Sequence, residues 1–269
     1  MAGIDEEILH GGVANRGAVV RVGDTVRRPA GPWSEATRVL LSHLESGGFE
    51  EAPRSLGVDD RGRDVLSYIG GEVPLPPFPA WSMTDAVLVE VAGLLGRFHQ
   101  ATAGWVPPES LSWSDELPDP VGGPVVCHND VCPENVVFRD GRAVGLVDFD
   151  FAAPGRPEWD VVRTIGMWAP LGDPTSRRAH PPGLDAVHRF GIFAAASGIG
   201  ADGAEALVDL AGLSKESGLR FVRRRLDAAE PAFVEMWEAS GGDARWAGDR
   251  AWLEEHRRFL AGAVVAAGS

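Results

Sequence analysis

Residues 17–28, GAVVRVGDTVRR, alternate apolar and polar positions on either side of Gly23-Asp24, the pattern of two strands joined by a tight turn. Pro29, Gly31 and Pro32 end the second strand. SEATRVLLSHLES then carries Val39, Leu40, Leu41 and Leu44 at helical spacing, with Ser34 placed as the cap. RSLGVDD and DVLSYIGG predict two further strands around a turn at Asp60-Arg61-Gly62. Residues 1–70 are therefore expected to form a small, mostly antiparallel sheet with one helix.

GGEVPLPPFPAW follows, with Pro74, Pro76, Pro77 and Pro79. Proline fixes φ and lacks an amide donor, so regular structure stops here and the stretch reads as a crossing. Helical periodicity returns from Thr84 to Ala101 and dominates beyond residue 150, with helices expected at about 158–169, 183–197, 203–214, 218–239 and 245–267. The predicted fold class is α+β in two lobes. A small sheet lobe covers 1–70, a larger and mainly helical lobe covers 71–269, and a cleft lies where they meet.

One stretch breaks the helical character of the second lobe. HNDVCPENVVFRDGRAVGLVDFD, residues 128–150, places two apolar runs around Asp140-Gly141, a strong hairpin signal. A two-residue turn there pairs Arg139 with Arg142, Val137 with Val144 and Asn135 with Leu146. Asn135 and Asp148 then share a face about 7–8 Å apart on the diagonal, close enough to converge on one cation. Oxygen donors alone suit Mg2+ or Mn2+, whereas a zinc site at His128 lacks a second His or Cys ligand nearby. Asp130, in the loop ahead of Asn135, is placed to orient a hydroxyl and accept its proton, with His128 supporting the loop more than performing acid-base work. The plain alternative is a turn whose Asp and Asn side chains cap backbone amides. The hairpin and Asp148 together favour a site.

Composition, with 44% apolar and 24% charged residues, is that of an ordinary globular protein. The net charge of −14 argues against a nucleic-acid partner and suits a cationic ligand, although acidic surface also serves solubility. No window approaches a membrane span and the acidic start MAGIDEEILHGG lacks a signal-peptide core, so a cytoplasmic protein without a membrane partner is expected. Cys127 and Cys132 fit neither a disulfide framework nor a zinc knuckle and read as free thiols. The only lysine is Lys215, so phosphate binding nearer the N-terminus must fall to arginine.

The pattern His128-Asn129-Asp130, Asn135, hairpin, Asp148-Phe149-Asp150 resembles the catalytic segment of the aminoglycoside phosphotransferase and choline kinase family, which has a protein-kinase-like fold. The resemblance implies ATP and Mg2+ as cofactors, Asp130 as catalytic base with His128 in its loop, and Asn135 and Asp148 as metal ligands. Asp150 is implied as a contact of a second metal or a local bonding partner, and Asp160 as a brace of the loop. Gly11, Gly12 and Asn15 would cover the phosphates, Arg28 would replace the usual strand lysine with Arg27 facing outward, and Ser67, Tyr68 and Ile69 would meet the adenine. Glu35 would pair with Arg28 unless Thr37 holds that place or Glu35 is simply solvated. The implied activity is phosphoryl transfer to a hydroxyl of a small molecule, a cationic one such as an aminoglycoside-type antibiotic on the charge argument, with Trp168, Asp173 and Trp237 as places to look for it. A macrolide, choline, a sugar or an amino-alcohol would be alternative acceptors. The competing class is a nucleotide-binding pseudokinase or regulatory module, which would be expected to lose the base or a metal ligand. Here Asp130, Asn135 and Asp148 are all present.

Overall fold

A computed structural model describes residues 6–9, 18–176 and 179–268. The N-terminal sheet comprises β1 (Glu7–Ile8), β2 (Val20–Val22), β3 (Thr25–Pro29), β4 (Ser55–Val58) and β5 (Arg63–Ser67), in the order β1-β2-β3-β5-β4 with every pair antiparallel. Gly23 adopts φ +60° at the β2–β3 turn, as the Gly-Asp signal requires. Between β3 and β4 lies α1 (Ser34–Ser46), whose Ala36, Leu40, Leu41 and Leu44 are buried. Ser34 does not cap this helix. It lies inside the first turn, and its hydroxyl accepts from the Gly31 amide at 2.9 Å.

The proline-rich crossing is held to the second lobe by a bridge between Glu72 and Phe138, whose amides and carbonyls bond reciprocally at 2.8 Å. Gly71 makes this approach feasible. At its φ of +157° a Cβ would come within 2.5 Å of the Phe138 carbonyl oxygen and a Val137 methyl.

The second lobe is built around α2 (Asp85–Thr102), capped by the Thr84 hydroxyl and buried along Leu88, Val91, Leu94, Leu95 and Phe98. β6 (Val125–Cys127) pairs with β9 (Ala153–Gly155), and between them lies the hairpin β7 (Val136–Arg139) and β8 (Arg142–Leu146). Five helices follow: α3 (Pro157–Trp168), α4 (Ala186–Ala196), α5 (Ala204–Asp227), α6 (Pro231–Ser240) and α7 (Gly242–Ala267). The expected break between residues 214 and 218 is absent, because α5 runs on to Asp227. Gly218 costs such a helix only about 1 kcal/mol relative to alanine, and packing of α5 on its neighbours overrides that weak local preference. The chain turns at Ala228–Glu230, and Pro231 opens α6, a position where its missing amide costs nothing. Among the described residues no helix is long and apolar enough to cross a membrane.

Candidate active site

The predicted hairpin forms at Asp140-Gly141, but with a bulge. Arg139 pairs with Arg142 and Phe138 with Ala143, after which Val137 faces Gly145 and Val136 faces Leu146. The expected Val137–Val144 and Asn135–Leu146 pairings are therefore displaced by the extra residue on β8. Asn135 ends a short 3-10 turn, Pro133–Asn135, and its carbonyl accepts from the Val147 amide at 3.0 Å. The strands still carry Asn135 and Asp148 to one place, for both line a cavity of about 470 Å3 together with Asp130, Glu134, Asp150 and Arg28.

Asn135 reaches back to the loop. Its amide nitrogen donates to the carbonyl and to Oδ2 of Asp130, each at 2.9 Å. With the nitrogen so committed, the amide oxygen is the atom left for a cation. Arg28 projects from β3, buried at 8% exposure, and bonds Asp148 Oδ1 at 3.3 Å while pairing closely with Asp150. Burial works against its charge, but the two carboxylates outweigh it and raise its pKa. Glu35 is exposed and takes no part, so the Arg28–Glu35 pair is not formed. Instead α1 is tied to β5 by Arg38 and Asp64 at 2.6 Å, and to the Asp148 segment by the Thr37 hydroxyl, which donates to the Phe149 carbonyl at 3.5 Å. Arg27 points to the other face, bonding Thr25 and pairing with Asp59.

Behind the cavity lies a fully buried carboxylate. Asp160, in the first turn of α3, accepts from the amides of His128 (2.7 Å) and Asn129 (2.8 Å) and lies 2.9 Å from His99 Nε2 on α2. Burial alone would raise its pKa; the His99 bond and the amides reverse that and hold it below the ordinary carboxylate value. Asn129 is thereby held at φ +66°, with its carbonyl accepting from Arg163 Nε (2.7 Å) and its side-chain nitrogen donating to the Phe151 carbonyl (2.8 Å). Asp148 also has positive φ, +65°. Aspartate and asparagine tolerate this region better than most residues, so the loop can use such turns without glycine.

His128 has no exposed surface and does not line the cavity. Burial lowers its pKa, so it is neutral at pH 7, and one tautomer satisfies both its contacts: Nε2–H donates to the Val147 carbonyl (3.1 Å) and Nδ1 accepts from the Asp130 amide (3.3 Å). It buttresses the loop from the core, between Phe98 and Phe149.

Of the remaining expected residues, Ser67, Tyr68 and Ile69 line the cavity. Gly11, Gly12 and Asn15 lie outside the described residues. Trp168 is fully buried and donates to the Val131 carbonyl at 2.7 Å, so it belongs to the core. Asp173 and Trp237 do not line the cavity either. Cys127 and Cys132 are free thiols whose pKa values burial pushes up. Sequence reasoning missed Glu134, a cavity-lining acid beside Asn135, and His99, whose signal was a histidine in the apolar stripe of α2. It also missed Arg163, one helical turn after Asp160.

Desolvation and then the Asp148 charge raise Asp130 to about 7, and the same two causes raise Asp150 to about 6. A folded-state pKa above the unfolded value means that the folded protein binds the proton more tightly, so stability falls as pH rises from about 4 to about 7. Asp160 acts oppositely and in a lower window, its contribution being lost as pH falls below the ordinary carboxylate value. Denaturant midpoints of the metal-free protein are expected to fall between pH 5 and 7, less steeply in Asp130→Asn; identical slopes would refute the assignment. Mg2+ is expected to raise the melting temperature more at pH 8 than at pH 5.

A family model described as "Phosphotransferase enzyme family" matches residues 109–196, which include the loop, the hairpin and Asp160. The chain is 34% identical over 277 residues to the trifolitoxin immunity protein of Rhizobium leguminosarum bv. trifolii, covering 97% of this chain and 99% of that protein. Among solved structures, a choline/ethanolamine kinase family protein from Mesorhizobium loti matches with a TM-score of 0.66 at 19% identity, covering 98% of this chain and 94% of the other. An ADP-bound aminoglycoside phosphotransferase, APH(2'')-Ib, matches with a TM-score of 0.52 at 14% identity, covering 97% and 94%. The two-lobed protein-kinase-like architecture, the match of residues 109–196 and the full-length relative agree: this chain belongs to the phosphotransferase enzyme family.

Proposed function

We propose that the chain transfers the γ-phosphoryl group of ATP to a hydroxyl of a small molecule, with Mg2+. The observation that carries this reading is that Asp130, Asn135, Asp148 and Arg28 line one cavity, with Asn135 bonded to Asp130 and Arg28 to Asp148.

The donor set fits a hard cation, because the free Asn135 oxygen and the Asp148 carboxylate supply only oxygen. Mg2+ held there would neutralise charge on the transferring phosphoryl group. The chain's own residues do the rest. Arg28 binds phosphate as a planar fork and draws Asp148 and Asp150 together, so Asp150 anchors Arg28 rather than supplying an independent ligand. The acceptor hydroxyl is oriented by Asp130, whose position Asn135 holds. As the acceptor oxygen bonds to the γ-phosphorus and the bond to the β–γ bridging oxygen breaks, the hydroxyl proton passes to Asp130 and ADP departs. For the purine, the Ser67 and Tyr68 amides already donate to the Arg54 and Asp24 carbonyls, so the amide donor falls to Ile69.

Solved structures of similar fold carry gentamicin, or streptomycin with ATP, and the 34% identical relative is named for immunity to a toxin. Inactivation of an antibiotic-type compound is the physiological sense of this proposal. A coupled ADP-release screen over gentamicin, streptomycin, choline and uncharged alcohols tests it. At least one acceptor is expected to give Asp130-dependent ADP release, and acceptor-independent nucleotide binding alone would support a regulatory module instead.

Arg28→Ala is expected to weaken Mg-ADP binding by about 10–150-fold, the worth of about 1.5–3 kcal/mol for a charge-assisted phosphate contact. Calorimetric titration with ADP reads this. Unchanged affinity would move the phosphate role elsewhere.

A further inference from the structure

The chain's acidic balance favours a cationic acceptor, yet one part of the cavity has a different chemistry. Phe151 directly follows Asp150, so this wall begins where the carboxylates end. It continues through Leu117, Phe221, Val222, Phe233 and Met236, drawn from the segment before β6 and from α5 and α6. The nucleotide side, by contrast, is built from β3, β5 and the crossing. Three rings form a ladder, Phe151 to Phe221 at 5.5 Å and Phe221 to Phe233 at 5.6 Å, crossing nearly perpendicular at 82° and 80°. Such edge-to-face contacts fix ring orientation and leave apolar surface facing the cavity.

The charge nearest this wall is already matched. The Arg225 guanidinium lies 5.1 Å from the Phe221 ring centroid and 5.8 Å from that of Phe233, and it donates to Glu116 (2.7 Å) and Glu230 (2.9 Å). Glu116 also accepts from Arg224 at 2.8 Å. Glu116 and Glu230 are thus engaged by arginine, so a polyamine seated on the rings would draw on neither of them. An uncharged body would displace water from the rings without disturbing those pairs.

We propose that the wall formed by Phe151, Phe221, Phe233 and Met236 is the acceptor subsite, and that it receives an uncharged aromatic or branched aliphatic body whose hydroxyl reaches Asp130. This rests on the phosphotransfer reading for its direction, but the subsite can be tested by binding alone. Phenylpropanol, titrated into protein saturated with Mg2+ and ADP and followed by saturation-transfer NMR, is expected to bind saturably. Phe221→Ala and Met236→Asp, both at half-buried positions and checked for an unchanged melting temperature, are each expected to weaken that binding at least fivefold. Absence of saturable binding to the loaded protein, or variants that leave the affinity unchanged, would each overturn the proposal. Turnover is read separately. Binding without Asp130-dependent ADP release would keep the subsite and reject the phosphotransfer reading. Turnover of choline or gentamicin with a KM insensitive to Phe221→Ala would keep phosphotransfer and reject the subsite.

Discussion

Asp130→Asn is expected to lower turnover by about 10²–10⁴-fold, the usual contribution of a positioned general base, while leaving Mg-ADP affinity within about twofold. The carboxamide keeps the volume of the side chain, and Asn135 can still donate to its oxygen as it does to Asp130 Oδ2. What disappears is the group that takes the hydroxyl proton and the negative charge that orients the hydroxyl. The split between kcat and nucleotide affinity is the measurement that matters. A parallel loss of both would show that Asp130 supports the metal and phosphates rather than the acceptor, and full activity would remove it from the mechanism. The wild-type rate is further expected to rise with pH through the raised pKa of Asp130, because only the deprotonated carboxylate accepts a proton.

The largest effect on stability is expected at a residue that does not line the cavity. Asp160→Ala removes a buried carboxylate that accepts from two loop amides and faces His99, leaving the His128 and Asn129 amides and the imidazole without partners in the core. Breaking a buried charged network in this way costs about 3–5 kcal/mol. Chemical denaturation should show that loss as a lower midpoint at unchanged slope. Asp160→Asn keeps the shape but can present an N–H to one of the donors, so a smaller loss is expected, with activity falling further than stability because Asn129 and Asp130 lose their exact placement. If Asp160→Ala unfolds at the wild-type midpoint, the carboxylate is not the brace that its bonding describes.

Legibility followed the range of the interactions. The hairpin around Asp140-Gly141 and the order of sheet, crossing and helices were readable because turn chemistry and hydrophobic period act within a few residues. The bulge opposite Val137 was not, since an extra residue on β8 is decided by what packs above and below the ladder, including Ile69, which lies 3.0 Å from where a Gly145 Cβ would stand. The long α5 illustrates the same limit, for Gly218 signals a break locally and tertiary packing overrules it. That Asp130, Asn135 and Asp148 come to one place was readable from spacing, whereas the brace at Asp160 came only from resemblance, and its partner His99 lies 61 residues away on another helix. Glu35 stood in the expected helix yet faces solvent, since the carboxylates of Asp148 and Asp150 lie nearer to Arg28. The aromatic wall joins positions from Leu117 to Met236 and had no local pattern to betray it.

The guanidinium of Arg28 has a consequence for chemical probing. Nucleotide-shaped acylating reagents mark kinase-like sites by transferring their acyl group to a lysine amine beside the phosphates, and a guanidinium, protonated at any workable pH, does not react with them. The sole amine side chain in this protein, Lys215, lies against Asp249 at 3.7 Å and does not line the cavity. If nucleotide binds as proposed, surveys by amine labelling would pass over this chain, and covalent inhibitors would have to be aimed at another nucleophile.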